Sequence, residues 1–126
     1  MTYAIKPSLY LVGAEPAEQE RLRSAVAPFT RHLVTFDSAR SFMAAQPFDE
    51  YACVLAALAL PDMPILDFVA AAGRILPVIV LGRTDDLGVA VQIMRAGAAN
   101  LLDQRCDARQ LRAAITAATS ALQPGG

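Results

Sequence analysis

The sequence predicts an α/β fold: a doubly wound, five-stranded parallel sheet with five helices on its two faces. Two observations carry this. Short apolar runs alternate with segments of helical periodicity along the chain, the pattern of repeated strand–helix units. The clearest runs, Tyr51 to Ala56 and Pro77 to Leu81, are apolar throughout, as strands covered on both faces are.

The elements follow in order. Leu9-Tyr10-Leu11-Val12 is a first strand, and Pro16 opens the next helix at the position that tolerates proline. Leu22, Val26 and Phe29 lie at helical spacing, with Pro28 helping to stop the segment. His32 to Phe36 read as a second strand, and Asp37 or Ser38 caps a helix with Phe42 and Met43 as its core residues. After the third strand, Tyr51 to Ala56, the turn Leu60-Pro61-Asp62-Met63-Pro64 precedes a helix around Leu66 and Val69 that ends at Gly73. Pro77 to Leu81 is the fourth strand. Asp85 or Asp86 caps a helix carrying Val91 and Met94 and closing at Gly97. Leu101-Leu102 is a short fifth strand. Asp107 with Gln110 resembles a capping box, and Leu111, Ile115, Ala118 and Leu122 form the stripe of a last amphipathic helix.

The 126 residues suit one domain, here 1–122, with 123–126 either the start of a linker or a frayed terminus. Eleven basic and twelve acidic residues give a net charge of −1, which lacks the footprint of a nucleic-acid binder. Lys6 is the only lysine, so nearly all positive charge is arginine, suited to fixed anion contacts. No apolar run reaches the ~20 residues of a membrane span, and Met1 to Pro7 has no apolar core of a signal peptide. Cys53 and Cys106 form no metal-ligand cluster and are expected to be thiols; the expected compartment is the cytoplasm.

In a doubly wound sheet, ligands sit at the carboxyl ends of the strands. The turns to inspect are Gly13-Ala14-Glu15, Ala57-Leu58-Ala59, Gly82-Arg83-Thr84 and Asp103-Gln104-Arg105. They hold neither clustered carboxylates nor a glycine-rich phosphate cradle, so no metal and no cofactor is expected.

The order of elements, together with Leu60-Pro61-Asp62-Met63, Leu76-Pro77-Val78-Ile79-Val80-Leu81 and Met94-Arg95-Ala96-Gly97-Ala98, resembles the receiver domains of two-component response regulators, their NarL/FixJ-type branch in particular. The resemblance spans about Ser8 to Leu122 and implies the flavodoxin-like (CheY-like) strand order 2-1-3-4-5. It also implies a phosphorylation site that this chain has lost. The family's two magnesium-binding acids fall on Gly13 and Ala14, its phospho-accepting aspartate on Ala57 and its hydroxyl residue on Gly82. Its lysine and following cis-proline fall on Gln104 and Arg105, and its aromatic switch residue on Leu101. An alanine methyl offers no nucleophilic oxygen, and magnesium needs oxygen ligands. Removing the packed carboxylates removes their mutual repulsion and the switch that relieves it, so a single-state domain is expected. The vacated pocket either collapses, the outcome dense packing favours, or persists as an apolar cleft for a small ligand.

Other polar residues have plain roles. Glu15 serves a helix N-terminus, Asp62 belongs to its turn, Thr84 is loop or cap material, and His32 has no partner at ligand spacing. Arg83 and Arg105 follow adjacent strand ends and either hold an anion or are solvated, partnered by Asp85, Asp86 or Asp103.

The expectation is a non-enzymatic, phosphorylation-independent pseudo-receiver acting through protein contact or dimerisation. By resemblance its partner face, fourth helix to fifth helix, holds Ala90, Gln92, Arg95, Leu101, Arg105, Arg109 and Arg112. The partner is a second copy or another signalling protein, with no direct contact to nucleic acid or membrane by this domain. The same branch implies a transcription regulator whose DNA-binding output domain lies outside these residues. The alternatives are a receiver that binds a metabolite or anion in the vacated pocket, and an enzyme on the same scaffold, for which the strand ends supply no nucleophile–base pair.

Overall fold

The computed structural model describes residues 6–122; the tail 123–126 lies outside them. The chain runs β1 (Ser8–Val12), α1 (Pro16–Val26), β2 (Leu33–Phe36), α2 (Ala39–Ala44), β3 (Ala52–Ala57), α3 (Ile65–Ala72), β4 (Val78–Leu81), α4 (Leu87–Arg95), β5 (Asn100–Leu102) and α5 (Ala108–Thr119). Short 3-10 turns at Ala27–Phe29 and Ser120–Leu122 follow α1 and α5. The five strands form one parallel sheet in the order β2-β1-β3-β4-β5, as the sequence predicts.

Alternate residues of each strand feed two separate cores. Tyr10, Val12, Val54, Ala56, Val78 and Val80 point to the side covered by α2, α3 and α4, where they meet Phe42, Phe68 and Ile93. Leu9, Leu11, Cys53, Leu55, Ile79 and Leu81 point to the side covered by α1 and α5, against Leu22, Val26, Leu111 and Ile115. Because both faces are buried, the central strands have no polar residue to alternate with, which made them legible as apolar runs. Tyr10, Phe36, Phe42 and Phe48 cluster at one end of the first core, with Phe42 and Phe48 stacked at 4.4 Å. Phe42, the fully buried ring of the cluster, contributes about 1.5–3 kcal/mol.

Helix boundaries follow local chemistry. Pro16 stands at the start of α1. Ser38, not Asp37, caps α2, in a reciprocal pair with Ser41. Asp86 caps α4 through the N–H groups of Gly88 and Val89, and Asp107 and Gln110 form the capping box of α5. Helix α4 ends on Gly97 at φ +114, with Gly97 N–H donating to the Met94 carbonyl and Ala98 N–H to the Ile93 carbonyl. This is the double hydrogen bond of a left-handed glycine cap.

Three expectations are corrected. The third strand is shifted by one residue, to Ala52–Ala57, so Ala57 ends the strand instead of following it. Leu122 lies in the 3-10 turn after α5, not on the helix. The residue that anchors α4 in the core is Ile93; Val91 and Met94 are 41% and 45% exposed.

Candidate functional site

A cleft of about 400 Å³ opens at the carboxyl ends of β1, β3 and β4. Register explains its position: Val12 pairs with Ala56 and Ala57 with Leu81, so the three strands end side by side. The chain reverses its winding direction between β1 and β3, which leaves the strand ends uncovered by a crossover. Gly13, Ala14, Ala57, Gly82 and Gln104 all line this cleft, as do Leu58, Glu15, Glu18 and Arg83. These residues border an open cleft.

Leucines explain how it is shaped. A Cβ added at Gly82 would lie 2.3 Å from the Leu58 Cβ, and one at Gly13 2.8 Å from Leu60 Cδ2. Gly13 also has φ +79, a conformation open to glycine at little cost. Leu58 and Leu60 thus occupy room that side chains at 82 and 13 would need. The side chains at Gly13, Ala14, Ala57 and Gly82 carry no oxygen, so the positions around Ala57 do not fit magnesium, which needs oxygen ligands.

The polar groups lie at the rim. Glu15 is the N-cap residue of α1, but its side chain accepts no capping hydrogen bond. Glu18 is held by Arg21, with Nη2 2.6 Å from Oε1 and Nε 3.2 Å from Oε2. The same guanidinium donates to the Gln104 carbonyl and so ties α1 to the loop after β5. Arg83 lines the cleft; Arg105 does not, and its backbone N–H donates to Asp103. Among the described residues the ion pairs are Arg21–Glu18 and Arg40–Asp62, so neither Arg83 nor Arg105 pairs with Asp85, Asp86 or Asp103.

Asp62 has a role beyond its turn. Its carboxylate accepts from the N–H groups of Ala39 and Arg40, each at 2.9 Å, and so closes the first turn of α2. The Arg40 N–H holds its carboxyl below the usual aspartate value. Thr84 Oγ1 accepts from the Asp86 N–H at the entry to α4. His32 is exposed just before β2, and the described residues contain no cluster of three or more His, Cys, Asp or Glu able to hold a metal.

On the face from α4 to α5, Gln92, Arg95, Arg105 and Arg109 are exposed and Ala90 is half-buried. Leu101 packs against the core on the α4 side. Arg112 reaches the other way, its guanidinium 5.6 Å from the ring centre of Phe29 beyond α1. The sequence reading missed what dominates α4: Leu87, Val91 and Met94, exposed by 78%, 41% and 45%, form an apolar stripe over two turns. Their spacing of four and three residues was the available signal. Glu18 and Arg21 were also missed, though they stand at ion-pair spacing.

No family model and no curated protein matches the chain. Solved structures do. A response regulator receiver protein from Pseudoalteromonas atlantica aligns with a TM-score of 0.79 at 24% identity, over 93% of this chain and all of that one (100%). Full-length FixJ from B. japonicum aligns at 0.80 and 21% identity, over 94% of this chain and 60% of its own. An adenylate cyclase structure from Rhodopirellula baltica aligns at 0.79 and 17% identity, over 94% of this chain and 90% of its own. The chain has the fold of response-regulator receiver domains.

Proposed function

We propose that the chain is a non-enzymatic, receiver-like regulatory module that works without aspartyl phosphorylation, through contact with a second copy or another signalling protein. One observation carries this reading: the cleft where a receiver would hold its acids has Gly13, Ala14, Ala57 and Gly82 at the corresponding positions. A methyl group at 57 cannot become an acyl phosphate, and Leu58 stands against any side chain at 82. The exposed stripe on α4 supports the contact half of the reading, since exposed apolar surface of this kind marks interaction sites. The resemblance of the sequence motifs to the NarL/FixJ-type branch extends this reading to the regulatory part of a transcription regulator; the chain covers 60% of full-length FixJ. No described helix is long and apolar enough to cross a membrane.

Sedimentation across a range of concentrations, with and without magnesium and beryllofluoride, tests it. Association indifferent to the additives is the expected result. A monomer that associates only with the phosphoryl mimic overturns it. A second reading, in which a small ligand sets the association, is favoured by the persistence of the cleft.

A further inference from the structure

We propose that the cleft binds a small zwitterion with an apolar side chain, of the α-amino-acid class, between Glu15 and Arg83. This rests on the reading that the cleft takes no phosphoryl group, and it gives the second form of that reading a ligand.

Charge selects the class. Of the charged side chains lining the cleft, Glu18 is neutralised by Arg21 at 2.6 Å. Glu15 and Arg83 are both exposed and, among the described residues, neither forms an ion pair. One negative and one positive group therefore remain for a ligand to satisfy. An inorganic phosphate would meet Arg83 but bring its charge beside Glu15; a simple cation would meet Glu15 and face Arg83. A molecule carrying both charges meets both.

Topology sets the span. Glu15 follows β1, Arg83 follows β4, and β3 runs between them. Two strand spacings separate the flanking backbones by about 10 Å. An ammonium and a carboxylate on one carbon, each extended by a hydrogen bond of about 2.8 Å, need about 8–9 Å between the two headgroups, a span that the exposed Glu15 and Arg83 side chains leave when they rise along the flanks of the cleft. Ala57 and Leu58 lie in the middle, so the ligand's side chain rests on apolar surface. Leu58 is half-buried, leaving part of that surface to be covered. The volume of about 400 Å³ falls in the range of small-molecule sites.

The test is thermal melting and titration calorimetry of the 126-residue chain with leucine, valine and phenylalanine. N-acetyl-leucine, which lacks the ammonium, and leucinamide, which lacks the carboxylate, complete the set. A ligand that binds only the native state raises the melting temperature. The expected result is a saturable rise of several degrees with at least one amino acid, and roughly tenfold weaker binding of both analogues. Glu15→Gln and Arg83→Gln should each weaken binding about tenfold, with the unliganded melting temperature lowered by no more than a few degrees by the loss of the Glu15 charge at the start of α1. No rise with any of the three amino acids, equal binding of the analogues, or full affinity in both variants overturns the proposal. Magnesium with beryllofluoride is titrated in parallel. Binding of that mimic overturns the phosphorylation-independent reading itself, whereas silence there with no amino-acid binding overturns the zwitterion alone.

Discussion

Gly82 and Leu58 exclude each other's growth: a Cβ at Gly82 would stand 2.3 Å from the Leu58 Cβ, closer than two carbons can pack. Gly82 is buried and its N–H donates to the Leu102 carbonyl, so the backbone has little room to withdraw. Gly82→Ser should therefore destabilise the domain by about 1–3 kcal/mol, as overpacking does. In urea melts, Leu58→Gly, which removes the clashing Cβ, combined with Gly82→Ser should cost less than the sum of the two single changes. Strict additivity would mean that the two positions are not in contact.

The same relationship limits repair of the pocket. Ala57→Asp restores a nucleophile, but Gly13 and Ala14 still supply no metal ligand and position 82 still cannot carry a hydroxyl. Acyl-phosphate labelling of the Ala57→Asp variant should stay at background. Robust incorporation on the new aspartate would show that the remaining cleft suffices for transfer.

Cys53 gives a stability prediction with a definite pH window. The thiol, on β3, is fully buried in the core under α1 and α5, and burial pushes its pKa from 9.0 to about 12. A folded-state pKa above the unfolded one contributes stability that is fully present below the unfolded value and is lost as pH rises through the folded value. The window runs from about 9 to about 12 and holds about 4 kcal/mol. Cys53→Ala should remove that alkaline decline from pH-dependent urea midpoints, at the cost of a small cavity at neutral pH. Thiol reagents should meanwhile label the half-buried Cys106 in the native protein and reach Cys53 only on unfolding.

Asp62 predicts the acid limb. Its pKa is lowered first by the Arg40 N–H, with the Ala39 N–H and the Arg40 charge acting the same way and desolvation opposing them. A depressed folded pKa contributes stability above the unfolded value, near 3.8, that is lost as pH falls through the folded one. Asp62→Asn should flatten the loss of stability below pH about 4 and speed amide exchange at Ala39 and Arg40 in α2. An unchanged acid limb would remove the cap from the account.

What could be read in the sequence was whatever has a local cause. The central strands are apolar runs because both faces are covered, and Asp107 with Gln110 announces a helix within four residues. The cleft positions were legible because they are strand ends, and a parallel sheet brings its strand ends together. What escaped depends on distant partners. Asp62 caps a helix 22 residues back in the chain, which no local pattern encodes. Leu58 fills space left by Gly82, a fact of volume between two strands. In α4 the apolar residues Val89, Val91, Ile93 and Met94 stand so close together that periodicity cannot say which faces the sheet; packing chose Ile93.

The choice of Ile93 leaves Leu87, Val91 and Met94 outside, and this makes the contact surface testable without disturbing the fold. Leu87 is 78% exposed and opens α4 next to its cap Asp86. Leu87→Glu places a carboxylate in the first turn, where the helix dipole favours it, so stability should change by no more than about 0.5 kcal/mol. Met94→Lys is placed close to the helix C-terminus, where positive charge is tolerated on the same grounds. If association runs through the α4 stripe, the double variant should sediment as a monomer at concentrations where the wild-type chain associates. Arg109→Ala, on exposed α5 surface, serves as the comparison. Loss of association in the α4 double variant alone places the contact on the apolar stripe. Loss in Arg109→Ala alone moves it to the polar surface of α5, and the stripe would then have no part in the contact.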